Sequence, residues 1–172
     1  MALVHVLSAG AAKALVTALK TAFEQQTGHT LASTFGAVGA MQERLDAGAA
    51  CDVIILSRAM IDALAQADRV HASSIADVGR VPTGVAVPAG ARRPGVGDAA
   101  GLRRTLLQAS AVHVPDTQRS TAGIHCLKVF AALGVADDIA ARLKTYPNGA
   151  TAMAALASNG DLAAIGITQV TE

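Results

Sequence analysis

The feature that most constrains the fold is residues 111–134, AVHVPDTQRSTAGIHCLKVFAALG, which combine a short apolar strand, a polar loop and a helix. The helical part places Leu127, Phe130 and Ala131 at spacings of three and four residues, on one face of a helix. A helix that begins in the polar loop directs unpaired N–H groups and about half a positive charge outward. The unit therefore predicts a place where an anion can bind.

The loop between this strand and helix carries hydroxyl groups and one cation, on Thr117, Arg119, Ser120 and Thr121. Gly123 follows them, and a glycine lets the backbone approach a neighbouring group closely. The loop can therefore offer hydroxyl, amide and guanidinium donors to a ligand.

The pattern of a short apolar strand, a turn of small residues and a helix also fills the first part of the chain. Strands are predicted at residues 3–7, 31–35 and 52–56. The first helix, residues 12–26, is expected to present one apolar face made of Leu15, Ala18, Leu19 and Phe23. Three strand–helix units in about 65 residues predict a parallel sheet with helices on its faces, and hence the α/β class.

A change of pattern at residues 79–90, GRVPTGVAVPAG, predicts that the chain leaves one lobe there and enters another. Two lobes are therefore expected, residues 1–80 and 81–167, with residues 168–172 crossing back toward the first. Within the second lobe, helices are predicted at residues 102–107 and 136–146, and a last strand at 162–169.

Four strand-to-helix turns consist of small or hydroxyl residues, at residues 8–11, 36–39, 119–123 and 148–151. Two of these turns belong to each expected lobe. One interpretation is that small residues simply make tight turns in a compact α/β protein. The other is that the helix N-termini converge on one cleft and hold an anion with backbone amides, without a metal or cofactor.

Composition excludes several classes of protein. The formal net charge is +1 and no basic stripe is present, which argues against nucleic acid as a partner. No apolar run reaches the 18 residues that a membrane span requires. Met1, Ala2 and Leu3 lack the start of a signal peptide, so either the protein stays in the cytoplasm or Met1 replaces a removed signal.

No catalytic or metal-binding motif is found in the sequence. Cys51 and Cys126 are too few for a zinc cluster and are expected to be small buried hydrophobic residues. His125 precedes Cys126, but adjacent helix positions point about 100° apart and do not cooperate readily. His113 lies in a Val-His-Val strand and is expected to be buried or at a sheet edge.

Three segments, VLSAGAAKAL, TFGAVGAMQERLDAGAACDVIIL and VPDTQRSTAGIH, resemble the molybdate-type substrate-binding proteins of ABC importers in order and spacing. The resemblance covers nearly the whole chain. It implies the two-lobed type 2 periplasmic binding fold, whose lobes close around a ligand by a hinge motion. It also implies a small oxyanion as ligand and the membrane subunits of an ABC importer as partners.

In that family, hydroxyls and backbone amides from the turns hold the oxyanion. The resemblance implies that Ser8 contributes from the first turn and the amide of Ala122 from the third, with backbone around Asn148 and Gly149 from the fourth. The other candidate positions in these loops are Ala9, Ala37, Val38, Ser120 and Thr121.

The chain departs from the family pattern at three places. The second turn has Ala37 and Val38 where the family carries a serine hydroxyl, and Thr168 or Gln169 stands where a tyrosine is expected. Each lost hydroxyl weakens oxyanion binding by about 1 kcal/mol. Arg119 adds a cation, which either pairs with a ligand carboxylate or is a solvated loop charge.

The ligand expected from these residues is a molybdate- or tungstate-like oxyanion or a small carboxylate. A binding protein for an importer is the first functional hypothesis. The alternative is a soluble enzyme or ligand sensor on the same fold, because fold does not determine function.

In the family resembled, residues beyond the strand near 165–170 complete and cover the first lobe, whereas this sequence stops at Glu172. An uncovered apolar surface of roughly 400 Å² corresponds to about 10 kcal/mol of lost burial. The expectation is therefore a homodimer or larger oligomer joined through the first lobe, near the C-terminus.

Overall fold

The computed structural model describes all 172 residues, and these form two compact units. The first unit contains Met1–Val81 and Thr171, and the second contains Pro82–Val170 and Glu172. Each unit has one β-sheet with helices packed against it. The predicted fold class, α/β with mostly parallel sheets flanked by helices, is confirmed.

The first unit has a three-stranded parallel sheet with the order β2-β1-β3. Its strands are β1 (Leu3–Ala9), β2 (Thr30–Gly36) and β3 (Val53–Ile55). Its helices are α1 (Lys13–Thr27), α2 (Val38–Asp46) and α3 (Arg58–Gln66). All three strand–helix units that the sequence predicts are present.

Helix α1 does not bury the apolar face predicted for it. No residue of α1 is buried; Leu15 is 43% exposed and Leu19 56% exposed. The spacing of apolar residues determines which face of a helix is apolar, but burial of that face requires a neighbouring element to cover it.

The second unit has a four-stranded sheet with the order β4-β7-β5-β6. Its strands are β4 (Thr83–Ala86), β5 (Val112–Pro115), β6 (Leu143–Tyr146) and β7 (Ile165–Gln169). Strand β4 is antiparallel to β7, and the other pairs are parallel. Its helices are α4 (Ala99–Gln108), α5 (Thr121–Ala132), α6 (Ala136–Ile139) and α7 (Gly149–Ser158).

The prediction of a helix over residues 136–146 is wrong. Helix α6 ends at Ile139, and strand β6 follows at the edge of the sheet. Because β6 is only four residues long, its sequence shows no clear alternation. The guanidinium of Arg142 donates to the carbonyl oxygens of Leu107 and Ala109, which ties the residue before this strand to the end of α4.

The buried face of α5 is also different from the one predicted. Cys126 and Phe130 are buried, whereas Leu127 is 39% exposed. Since α5 is apolar on nearly every side, periodicity did not identify the face that packs on the sheet. The core of the unit includes Phe130 together with Leu106, Val112, Val114 and Ile139.

Candidate functional site

Three parallel strands of the second unit end at the same edge of its sheet. Strand β5 pairs with β6, with Pro115 opposite Tyr146, and with β7, with His113 opposite Gly166. From β5 the chain passes to β6, and from β6 it returns past β5 to β7. In open α/β sheets, ligands bind outside the carboxyl ends of strands where the order reverses in this way. We call this region, residues 116–123, 147–150 and 168–172, the switch edge.

Asp116 organises the loop between β5 and α5. Its Oδ1 accepts hydrogen bonds from the amides of Gln118 and Arg119 at 2.7 and 2.9 Å, and its carbonyl accepts one from Ser120 at 3.1 Å. The side-chain bonds hold the pKa of the Asp116 carboxyl below its usual range. An ionised carboxylate therefore fixes the loop, and the side chain of Arg119 is exposed on it.

Gly123 lies in the first turn of α5, where the helix approaches this loop. A methyl group at this position would overlap the carbonyl oxygens of Pro115 and Asp116. The lack of a side chain at Gly123 therefore allows α5 to pack closely against the protein's own loop.

Helix α5 begins with backbone amides that have no acceptor within the helix. Ser120 is the N-cap residue but its hydroxyl makes no capping bond, and the first intrahelical bond runs from Ile124 N to Ser120 O at 2.9 Å. The amides of Thr121, Ala122 and Gly123 are thus left for other acceptors. The side chain of Thr121 is exposed, whereas Ser120 and Ala122 are buried.

Helix α7 begins with a side-chain cap. Asn148 Oδ1 accepts from the amide and from the hydroxyl of Thr151, both at 2.9 Å. The first backbone bond of the helix joins Ala152 N to Asn148 O at 3.1 Å. The cap satisfies one amide of the first turn and leaves those of Gly149 and Ala150 without an intrahelical acceptor.

Strand β7 brings Thr168 directly against the start of α7. Thr168 is 4% exposed, and its hydroxyl donates to Glu172 Oε2 at 2.7 Å. A methyl group at position 149 would overlap both the Thr168 hydroxyl and the Glu172 carboxylate, so only glycine fits there. Gln169, the next residue of β7, is partly buried.

The predicted residues of the second unit therefore lie at one edge of its sheet, but the prediction missed Glu172. The amide of Glu172 donates to the carbonyl of Gln169 at 3.1 Å, and this turn returns the side chain to Thr168. The sequence signal that could have indicated this contact was the spacing of four residues between a hydroxyl and a carboxylate, with a turn between them.

The predicted residues of the first unit follow its parallel strands in the same manner. Ser8 and Ala9 end β1, beside the end of β2. Ser8 is fully buried, and its hydroxyl donates to the carbonyl of Ala9 at 3.0 Å. Ala37 is the N-cap residue of α2 without a capping side chain, and Val38 is the buried first residue of that helix.

The two thiols do not have the environment of reactive groups. Burial raises the pKa of Cys126 to about 12, and burial also raises the pKa of the partly buried Cys51. The interpretation of Cys126 as a core residue is confirmed, and His125 is exposed. No group of three or more His, Cys, Asp or Glu side chains is arranged to hold a metal ion.

A cavity of about 420 Å³ opens between β4, β7 and α7. It shares Thr168, Gln169 and Glu172 with the switch edge, but most of its lining comes from residues 84–89 and from apolar side chains of α7. Because residues 116–123 and 147–150 do not line it, the cavity adjoins the candidate site from the β4 side. No helix of the chain combines the length and hydropathy that a membrane span needs.

Comparison with known proteins identifies a family. The family model described as bacterial extracellular solute-binding protein matches residues 4–172. No curated protein matches the sequence.

Solved structures share the fold at low sequence identity. The Azotobacter vinelandii periplasmic molybdate-binding protein superposes with a TM-score of 0.78 at 20% identity, over 96% of this chain and 71% of that one. The sulfate-binding protein SubI from Mycobacterium tuberculosis gives 0.74 at 16%, over 98% and 65%. The tungstate-binding protein TupA from Desulfovibrio alaskensis gives 0.60 at 15%, over 98% and 68%.

Proposed function

We propose that this chain, which belongs to the bacterial extracellular solute-binding proteins, binds a small anion at the switch edge. The observation that carries the proposal is the pair of helix N-termini at the ends of two neighbouring parallel strands. Helices α5 and α7 both present amides without intrahelical acceptors there. The buried hydroxyl of Thr168, which donates to Glu172, lies against the start of α7. Amides and a helix dipole favour an anionic ligand.

In the first unit, Ser8 and the amides at the start of α2 stay predicted anion contacts at the carboxyl ends of that unit's own strands. The hydroxyl of Ser8 already donates to Ala9, so a ligand contact would need that hydroxyl to rotate. Ala37 and Val38 offer only backbone groups.

We infer a small oxyanion or carboxylate as ligand, because amide donors complement anionic oxygen atoms. The structural relatives named for molybdate, sulfate and tungstate support an oxyanion, since they share the fold. Delivery of the ligand to the membrane subunits of an ABC importer is the role that the family supports.

One backbone amide can be removed without breaking the helix. Thr121 is the first residue of α5, and Ser120 before it has φ −99° and ψ 129°, an extended conformation that suits a residue preceding proline. The Thr121→Pro variant thus loses one N–H donor while α5 keeps its hydrogen bonds. The matched control Thr121→Ala keeps the amide and loses only the exposed side chain.

Calorimetric titration with molybdate, tungstate, sulfate, phosphate and small carboxylates tests the proposal. A bound anion that accepts the Thr121 amide should lose about tenfold in affinity with Thr121→Pro, and less than twofold with Thr121→Ala. If the wild-type chain binds cations or neutral sugars only, the proposal fails. Equal anion affinities for a folded Thr121→Pro variant and its control would show that the Thr121 amide does not bind the anion.

A further inference from the structure

A second cavity, of about 220 Å³, lies at the end of the second unit's sheet that is opposite to the switch edge. Its walls come from the end of α4, the loop after β4 and the residues that lead into β7. Ile165, the first residue of β7, lines this cavity, whereas Thr168 at the switch edge lies three residues further, about 10 Å along the strand. The candidate anion site therefore does not account for this cavity.

Three polar side chains line the cavity and make no hydrogen bond or ion pair within the protein, those of Arg92, Thr105 and Gln108. Arg92 stays charged at every physiological pH and carries several N–H donors in a planar fork. The hydroxyl of Thr105 and the amide of Gln108 are further donors. Unpaired donors around one cavity suit a ligand that carries a negative charge and accepts several hydrogen bonds.

The polar groups next to the cavity already have partners of their own. The carboxylate of Asp161 accepts from the hydroxyl of Ser110 at 2.6 Å and from the amide of Ala163 at 2.9 Å. The carbonyl of Ala109, at the end of α4, accepts from the guanidinium of Arg142. Helix α4 itself carries two arginines and no acidic residue. The surroundings of the cavity therefore add positive charge and leave Arg92 without a neutralising carboxylate.

The same cavity has an apolar wall. Leu162 lines it and is 59% exposed, and Val87, Pro94 and Ile165 complete the apolar part of the lining. A ligand that covers the Leu162 side chain removes apolar surface from water, which favours binding. The volume is below the range of about 300–1,000 Å³ that is usual for drug-sized ligands. The fitting ligand is therefore small and partly apolar.

We propose that this cavity is a second binding site of the protein, and that it takes a small apolar monocarboxylate. The carboxylate accepts a pair of hydrogen bonds from the guanidinium of Arg92, and the aliphatic chain or aromatic ring packs on Leu162. An inorganic oxyanion has no apolar part to cover Leu162, and a neutral apolar molecule leaves Arg92 without a partner. The site is independent of the anion site at the switch edge.

The test uses benzoate as the probe and its neutral isostere benzamide as the ligand control. Arg92→Gln removes the charge that lines the cavity, and Arg93→Gln makes the same change at the next residue, which is exposed and does not line it. Titration of ¹⁵N-labelled protein should give saturable shifts at the amides of Ala163 and Ala164. We expect the affinity for benzoate to fall about tenfold or more with Arg92→Gln and less than twofold with Arg93→Gln. Benzamide should bind wild type at least about tenfold more weakly than benzoate does.

The position of the shifts separates this site from the switch edge. Benzoate shifts confined to the amides of Thr121 and Gly149 would place the carboxylate at the switch edge, which overturns the inference and leaves the proposed function in place. Equal affinities of Arg92→Gln and Arg93→Gln, or no saturable shift up to about 10 mM benzoate, also overturn it. Binding at the cavity together with a failure of every anion to bind at the switch edge would support the inference and end the proposed function.

A variant of the apolar wall tests the other half of the ligand class. Leu162→Ser changes an exposed side chain, so the fold should be kept, and the melting temperature checks this. Wild type should bind benzoate more tightly than acetate, and the variant should lose most of that preference, because acetate has too little apolar surface to cover Leu162. If the preference for benzoate over acetate is the same in wild type and in Leu162→Ser, the wall does not contact the ligand and the inference is wrong.

Discussion

The two units have the same βα construction but very different interiors. Six of the buried apolar residues belong to the first unit, and fourteen belong to the second. The second unit fully buries large side chains such as Phe130 and Leu106, whereas helix α1 of the first unit buries none. Similar patterns of apolar residues thus accompany different numbers of buried side chains in the two units. The pattern identifies an apolar face, but it does not show which neighbouring element covers that face.

The two units also differ in the capping of their helix N-termini. In the second unit, Asp98 caps α4 by accepting from Gly101 N at 2.6 Å, and Asn148 caps α7. In the first unit, α1, α2 and α3 have no side-chain capping bond, and Ser57 before α3 is at the cap position without making one. Side-chain caps therefore occur only in the second unit, at α4 and α7, whereas α5 of that unit also begins without one.

The largest expected effect tests the difference in core packing. Phe130→Ala should destabilise the second unit by about 3–5 kcal/mol, because Phe130 is 1% exposed inside the main cluster. Leu19→Ala on α1 should change stability by less than about 0.5 kcal/mol, as expected at an exposed site. Urea unfolding of both variants measures the contrast, and similar losses in the two would contradict it.

A smaller effect tests the closeness of backbone packing. Gly123→Ala should destabilise by about 1–3 kcal/mol, since the added methyl meets the carbonyl oxygens of Pro115 and Asp116, which cannot move independently of the loop. At Gly36 in the first unit, the same methyl meets only the flexible end of Met41, at 2.8 Å. Gly36→Ala should therefore cost less than Gly123→Ala, and thermal unfolding decides the order.

The first unit's order of strands and helices was predictable from sequence because short apolar runs followed by small-residue turns mark parallel βα units. Strand β6 was missed because a four-residue edge strand is too short to show an alternating pattern, and its pairing with β5 is a tertiary contact that the local sequence does not reveal. The buried face of α5 was missed because Leu127 and Cys126 are both apolar, and only packing distinguishes them.

The loops of the candidate site were predictable, but their chemistry was predictable only in part. The turns at residues 119–123 and 148–151 were predicted from their small and hydroxyl residues, and both lie at helix N-termini. Ala122, Asn148 and Gly149 were named as ligand contacts from the family resemblance, and those roles stay predictions. Glu172 was not found because its contact with Thr168 depends on a turn that residue patterns do not specify. The hydrogen bond from the Ser8 hydroxyl to the adjacent carbonyl of Ala9 likewise could not be predicted from the sequence.

A third test uses a buried histidine of the second unit. His113 Nδ1 lies 2.8 Å from the hydroxyl of Tyr146, and its Nε2 lies 3.2 Å from the amide nitrogen of Asn159. Because Asn159 Oδ1 accepts from the amide of Asp161 at 2.9 Å, its NH₂ group must face His113. The imidazole Nε2 is therefore an acceptor, and protonation would remove the Asn159 bond.

Burial lowers the pKa of His113, the charge of Lys144 lowers it further, and Asp161 opposes the shift. A histidine with a lowered folded pKa binds fewer protons in the native state than in the unfolded state. Its stabilising contribution is present above about pH 6.5 and is lost as pH falls toward the folded pKa. Denaturant unfolding from pH 8 to pH 5 should show this loss in wild type, and a smaller one in His113→Gln, which cannot titrate. If the two proteins have parallel pH profiles, His113 is not the group responsible.

The smallest expected change in folding stability tests the exposed apolar face of α1, which includes Leu15 and Leu19. Replacing both by lysine should alter the free energy of unfolding of an isolated chain by less than about 1 kcal/mol, because neither side chain is buried within it. The same replacement should weaken any self-association through this face, because exposed apolar faces are favoured at interfaces between copies. Size exclusion with light scattering on wild type and the double variant separates the two effects. A mass above 17.3 kDa in wild type that falls to 17.3 kDa in the variant would support association through the first unit. If both proteins are monomers of equal stability, no second copy covers the apolar face of α1. The difference in buried core between the two units then exists within the single chain.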